Sequence, residues 1–390
     1  MRYAVAAVVG PLFASAALAQ GNINATKLSE LSGALSALGL DTLAGYAASI
    51  ANSSTGIQLL SQLTTSNDNF TIFAPTNDAL SKADKDVLNN PDKLAAVISY
   101  HVVRGAFLNE TYFFTSPNNT ILPTLLNDTS STHLQGNQSQ VLIASVQDGK
   151  ISLLNQGSNS IHVSKTSNVS NFDILQIDGI LSPPGSLSSV AKSANLNMFA
   201  QALSLAGLDD AVSNAHGITI FAPTDDALSA ALAKLGGQAS NQTLIKTVIQ
   251  NHIINGTSIY SQQFDDDYTS AAGEPLKFNI ANNTITIVSG DDKSNFTANV
   301  TKRDLIASNG VIHVIDAVLT NTNHDDDAAS SAYSSATDAA TDAASQTPTG
   351  AVGGQPTDSP DGAAPRGASV QWTVLLGTAV LGLALGVSSV

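Results

Sequence analysis

The chain has 390 residues, 16 Lys and Arg against 31 Asp and Glu for a formal net charge of −15, 43% hydrophobic residues and no cysteine. Acidity, with the few basic residues scattered, excludes nucleic acid as a partner, because phosphate binding needs clustered cations. Without cysteine there are no disulfides and no thiolate metal sites, so each domain of an exported chain must hold together by burial and exceed roughly 100 residues.

The length leaves room for two or three ordinary domains. The chain opens with Arg2, an apolar run over 5–18 and Ala17-Leu18-Ala19 before Gln20. That succession is the pattern of a cleaved signal peptide over 1–19. Residues 26–66 read as helix, with Leu28, Leu31, Leu35 and Leu38 at three- and four-residue spacing. Thr71-Ile72-Phe73-Ala74-Pro75-Thr76-Asn77-Asp78-Ala79-Leu80 follows, a strand handing over to a helix. Its β-branched and aromatic residues suit a pleated surface. Pro75 closes the ladder, Thr76 is placed to cap the helix, and Asp78 sits at the positive end of its dipole. A further amphipathic helix is predicted over 93–103, through Leu94, Val97, Ile98 and His101. From 111 to 178, short alternating runs separated by Asn, Gly and Ser predict several strands.

Pro183-Pro184-Gly185 marks a boundary, after which the order restarts. A helical stretch over 186–212 leads to Thr219-Ile220-Phe221-Ala222-Pro223-Thr224-Asp225-Asp226-Ala227-Leu228, then a helix over 242–254 and strands over 276–280, 284–288 and 311–319. The copies are offset by 148 residues at the strand–helix joint, 151 at His101 and His252, and 138 at the terminal strand. A repeat of that length is a tandem domain, and each copy mixes front helices with back strands, so the predicted class is α+β.

Residues 323–369 are rich in Ala, Ser, Thr, Asp, Pro and Gly, too poor in apolar surface to offset their ordering entropy. They are expected to form a disordered, O-glycosylated stalk. Residues 370–390 are an uncharged apolar run with no Lys or Arg after it, preceded by Asp361-Gly362-Ala363-Ala364 and a short spacer. The arrangement reads as a GPI-attachment signal, with Gly362 as the favoured attachment residue and Asp361 and Ser359 as alternatives. A single-pass membrane helix is the competing reading.

The joint, the pair Tyr100-His101 within Val97-Ile98-Ser99-Tyr100-His101-Val102-Val103, and the ending Asn309-Gly310-Val311-Ile312-His313-Val314-Ile315-Asp316 together resemble the fasciclin domain. The resemblance covers roughly 28–182 and 186–322, within expected domains of 20–182 and 186–322. It implies two compact β-sandwich or wedge domains with packed helices. It also implies a secreted or GPI-anchored protein active in adhesion or in matrix and cell-wall organisation, with no catalytic centre. Signal peptide, domain pair, stalk and GPI signal resemble the layout of fungal wall-surface proteins. The second copy has Asn251 where the first has Tyr100, and the first has Leu175 where the second has His313. In animal relatives an Asp followed by two aliphatic residues before the last block is implicated in integrin binding, and Asp304-Leu305-Ile306 occupies that place. The similar Phe172-Asp173-Ile174-Leu175 falls inside the last block and is a coincidence of composition, so integrin binding is not expected of either copy.

His101 and His252 each lie on an apolar helix face, where a buried imidazole bonded to neighbouring backbone is the first expectation. A contact role in adhesion for Tyr100, His101 and His252 is the second. Asp265-Asp266-Asp267, Asp291-Asp292 and Asp325-Asp326-Asp327 lack the alternating spacing and distal Glu of a calcium loop, so solvated turns are expected and no metal or cofactor is assigned. Asn-x-Ser/Thr triplets begin at Asn24, Asn52, Asn69, Asn109, Asn118, Asn127, Asn137, Asn168, Asn241, Asn255, Asn282, Asn295 and Asn299. These are glycosylation candidates and therefore expected at the surface, with Asn69 and Asn295 partly hidden beside strand phenylalanines. The expected function is weak, multivalent adhesion or wall organisation, with surface or wall glycans, other surface proteins or further copies as partners. An enzyme remodelling wall glycans is the rival, disfavoured because no carboxylate pair recurs in both copies. A purely structural wall glycoprotein is the third reading.

Overall fold

The computed structural model describes residues 23–155, 160–237, 241–282, 284–290, 296–344 and 350–352. The signal-peptide residues, the three attachment candidates and the terminal apolar run lie outside them. In the first copy, α1 (Ala25–Ala37), α2 (Asp41–Ser49) and α3 (Ser54–Thr65) lead into β1 (Phe70–Pro75). The helices α4 (Asn77–Ser81), α5 (Lys85–Leu88) and α6 (Pro91–Tyr100) follow, then β2 (Val102–Arg104), β3 (Thr120–Pro123), β4 (Val141–Gln147), β5 (Lys150–Leu153), β6 (Ile161–Val169) and β7 (Phe172–Ile177). The second copy runs α7 (Leu187–Ser193), α8 (Asn197–Leu205), α9 (Asp209–Ser213), β8 (Ile218–Pro223), α10 (Asp225–Leu235), α11 (Gln242–Gln250), β9 (Ile253–Asn255), β10 (Tyr268–Thr269), β11 (Pro275–Ala281), β12 (Thr284–Ser289), β13 (Phe296–Ala307) and β14 (Gly310–Ile315).

Each copy builds one seven-stranded sheet, ordered β2-β1-β7-β6-β5-β4-β3 in the first and β9-β8-β14-β13-β12-β11-β10 in the second. The orders match strand for strand, so the duplication is one of fold. In each sheet the first and last long strands are the parallel pair. Phe73 sits opposite Leu175 in β1 and β7, and Phe221 opposite His313 in β8 and β14. A strand buried on both faces feeds two cores, because alternate side chains point opposite ways. Phe70, Ile72 and Ala74 pack under the helices while Phe73 packs inside the curved sheet. Ile218, Ile220, Ala222 and Phe221 divide in the same way.

The joint behaves as its residues dictate. Thr76 Oγ1 accepts the Ala79 amide at 3.3 Å and Thr224 Oγ1 the Ala227 amide at 3.2 Å. Two helices are shorter than the sequence suggests. The one expected through 103 ends at Tyr100, and the one expected through 254 ends at Gln250. The β-branched residues that follow join the strand ladder against β1 and β8. Sheet pairing overrides an apolar spacing that suits either period.

The expected disordered stalk is corrected at its start. Residues Asp326–Ala344 form a 19-residue helix, α12, and further on Val352 N–H donates to Ile121 O of β3 at 2.8 Å. Asp325 Oδ1 accepts the Ala328 amide at 2.9 Å, and Asp326 and Asp327 occupy the first turn. The acidic triplet expected as a solvated turn is thus a helix start, favoured by the dipole and followed by alanines, the best helix formers. Small residues let α12 approach closely: a Cβ on Gly136 would stand 2.2 Å from Ala340 O.

Candidate functional site

His101 and His252 do the same work in the two copies. The Leu181 amide donates to His101 Nε2 at 3.0 Å, which leaves the proton on Nδ1 to donate to Val97 O at 2.7 Å. In the second copy the Leu319 amide donates to His252 Nε2 at 2.9 Å, and Nδ1 donates to Val248 O at 2.7 Å. Each imidazole ties the end of a helix to the chain leaving the last strand. Burial pushes both down to about 4, against a smaller upward pull from the backbone carbonyl, so both are neutral at physiological pH. The Tyr100/Asn251 difference also has a structural reason. Tyr100 donates from its hydroxyl to Val141 O at 3.0 Å, whereas Asn251 Nδ2 donates to Asn321 O and Asn323 O, both at 3.1 Å. Asn251 holds the segment that leads into α12.

Asp304 is fully buried, with φ +57°, where β13 shifts register against β14. Such an irregularity re-aims a side chain, and here it turns the carboxylate toward the first copy. Oδ1 accepts the Ser261 amide at 2.7 Å, while Oδ2 accepts Ser261 Oγ at 2.5 Å and Asn119 Nδ2 at 2.7 Å. His313 Nδ1 accepts the Asp304 amide at 3.2 Å, and its Nε2–H donates to Ile259 O at 2.9 Å. Around this contact Gln262 Nε2 donates to Asn119 O at 2.9 Å and Gln140 Nε2 to Ala307 O at 3.1 Å. Ile121, Val141, Ile143, Tyr260, Ile306, Val311 and Val352 form an apolar cluster drawn from both copies. The domains are therefore joined by a buried, hydrogen-bonded interface with an apolar centre.

Beside that interface lies a cleft of about 570 Å³. Its walls are the 135–141 segment of the first domain, the 254–269 segment of the second and the Ala/Ser face of α12. Gln135 and Ser258 line it, and each carries a buried side-chain oxygen without a hydrogen-bond partner among the described residues. Asp266 and Asp267 stand exposed on the same wall, where burial and the neighbouring carboxylates raise Asp266. Tyr268 is half-buried there, its hydroxyl pushed above its ordinary range by burial and then by Asp266 and Asp265.

A family model for the fasciclin domain matches residues 47–183 and 194–321. The chain belongs to the fasciclin family. Among curated fasciclin relatives, a fasciclin-like arabinogalactan protein of Arthroderma benhamiae is 32% identical over 252 residues, 62% of this chain and 54% of the relative. Protein sll1483 of Synechocystis is 31% identical over 121 residues, 30% of this chain and 63% of that protein. The chain thus spans between half and two thirds of the length of these relatives. A solved fasciclin domain pair from the insect cell adhesion molecule fasciclin I covers 64% of this chain and 88% of its own, at 17% identity and a TM-score of 0.31.

Set on the fasciclin fold, the positions singled out for binding are all interior. Tyr100, His101, His252, Asp304, Leu305 and Ile306 are each at most 5% exposed. The contact role weighed second for Tyr100, His101 and His252 is corrected by this burial, which equally keeps Asp304, Leu305 and Ile306 from meeting a partner: the apolar periodicity that makes these positions conspicuous also puts them in the core. The glycosylation candidates divide differently. Asn24, Asn69, Asn109, Asn127, Asn137, Asn168, Asn241, Asn255, Asn282 and Asn299 are exposed, Asn69 included despite the phenylalanine beside it. Asn118 is half-buried and its Oδ1 accepts Arg303 Nη1 at 2.9 Å. The side chains of Asn52 and Asn295 fall outside the described residues. Asn119, Gln140 and Gln262, which join the domains, carry no sequence signal, since their partners lie in the other domain.

Proposed function

We propose that this fasciclin protein is an extracellular glycoprotein, GPI-anchored at the plasma membrane or cell wall, that mediates weak multivalent adhesion or wall organisation. The tandem fasciclin pair, displaying ten exposed sequon asparagines on an acidic surface, carries the reading. The name of the Arthroderma relative, fasciclin-like arabinogalactan protein, supports a surface glycoprotein. Small residues followed by a terminal uncharged run support the lipid anchor, and the apolar N-terminus supports export. Its partners are surface or wall glycans, other surface proteins or further copies of itself. Many copies on one cell make weak contacts add through effective concentration. The role is non-enzymatic: His101, His252 and His313 each have both ring nitrogens committed to backbone groups, and the buried Asp304 holds the two domains together. Display of the full-length chain on cells tests this. Phosphatidylinositol-specific phospholipase C is expected to release it and to abolish cell–cell aggregation. Retention at the membrane after treatment contradicts the anchor, and unchanged aggregation in cells lacking the protein contradicts the adhesive role.

A further inference from the structure

The cleft between the domains has a chemistry of its own. Its polar lining is mostly amide and hydroxyl, from Gln135, Gln138, Ser258 and their neighbours, over a floor of alanines from α12. Arg104 is paired with Asp68, so the charge left facing the space is that of Asp266 and Asp267. An anion is repelled there. A wholly apolar ligand strips water from the accessible amide and hydroxyl groups of Gln138, Ser139 and Ser335 without replacing it, at a cost of about 1–3 kcal/mol for each group left buried and unpaired. A neutral, polyhydroxylated ligand satisfies both demands, since its hydroxyls bond amides and carboxylates while its C–H faces lie on Tyr268 and the alanines. The volume is within the range of about 300–1,000 Å³ usual for small-ligand sites.

A second observation points to the same class. Three glycosylation triplets open onto this one cleft: Asn127, Asn137 and Asn255 all line it and all are exposed. We propose that the interdomain cleft is a saccharide-binding site for neutral glycan. The saccharide comes from one of two sources, a glycan carried on those asparagines or a chain from a neighbouring surface. A sugar tethered at the rim meets the cleft at an effective concentration of order millimolar, so even weak contacts suffice to seat it. The inference leans on the surface-glycoprotein reading only for the availability of such glycans.

The full-length chain, purified from a glycosylating host, is titrated with chitotriose, laminaritriose and mannotriose by saturation-transfer NMR and calorimetry. A parallel arm uses the triple variant Asn127→Gln/Asn137→Gln/Asn255→Gln. Ser335→Trp, on the exposed cleft-facing side of α12, is expected to fill the space and weaken binding by about tenfold or more with the unfolding midpoint unchanged. Gln138→Ala gives the same direction if the tryptophan disturbs folding. Binding in both arms identifies an external glycan as the occupant. Binding only in the triple variant identifies the chain's own glycan. No binding in either arm, or binding indifferent to both cleft variants, overturns the proposal. Saccharide binding is read on purified protein and adhesion on cells. Loss of the first alone therefore condemns the cleft, and failure of adhesion with saccharide binding intact condemns only the adhesive reading.

Discussion

At residues 101 and 252 a neutral imidazole accepts from one backbone amide and donates to one carbonyl, and protonation of Nε2 destroys the first bond. Both groups have a folded value of about 4 against an ordinary 6.5, so between those pH values the unfolded chain binds more protons. Stability is full above about pH 6.5 and falls as pH drops toward 4, by on the order of 3 kcal/mol per histidine. Urea titrations at pH 7, 5.5 and 4.5 are expected to show that loss, and His252→Gln to reduce its size at lower overall stability. A pH-independent midpoint across the window contradicts the buried-neutral assignment. At Asn119 the side chain donates across the domain boundary to a buried carboxylate. Asn119→Ala is expected to cost about 2 kcal/mol, within the range for hydrogen bonds to charged groups, read by chemical denaturation.

Among the elements, α12 shows where local signals and composition pull apart. The Ala/Ser-rich segment has too few large apolar residues to suggest burial, yet Asp325-Asp326-Asp327 ahead of an alanine run is a legible helix start. What the sequence hides is the docking surface, because Gly136 and Gly256 lie far from α12 along the chain. Gly136 has φ +59° and no room for a side chain beneath Ala340, so Gly136→Val is expected to lift the helix away. Hydrogen exchange over 326–344 then rises by an order of magnitude or more while the core strands keep their protection. Asp325→Ala removes the cap and is expected to cost α12 about 1 kcal/mol. The strand–helix joint is the opposite case. Thr-Ile-Phe-Ala-Pro-Thr carries its strand, its stop and its cap within six residues, so it is readable twice without knowledge of what it packs against. Helix ends at Tyr100 and Gln250 are less readable, since Val102-Val103 and Ile253-Ile254 suit helix or strand until β1 and β8 are beside them.

For the molecule as a whole, the repeat offsets make the tandem architecture legible, while the relation between the copies is not. Asp304 stands out in sequence as an acidic residue before two aliphatics, the form of a surface contact motif. Its position at a register shift in β13, facing Asn119 of the other domain, turns it into an internal fastening. The interior cluster around Ile121, Tyr260 and Ile306, with α12 and Val352 laid across the boundary, couples the two folds into one unit and shapes the cleft. Scanning calorimetry of the full-length chain tests that coupling most directly. A single cooperative transition is expected for the parent protein, splitting into two in Asp304→Ala, which strips three donors of their acceptor. Two independent transitions in the parent protein, unmoved by that substitution, contradict it.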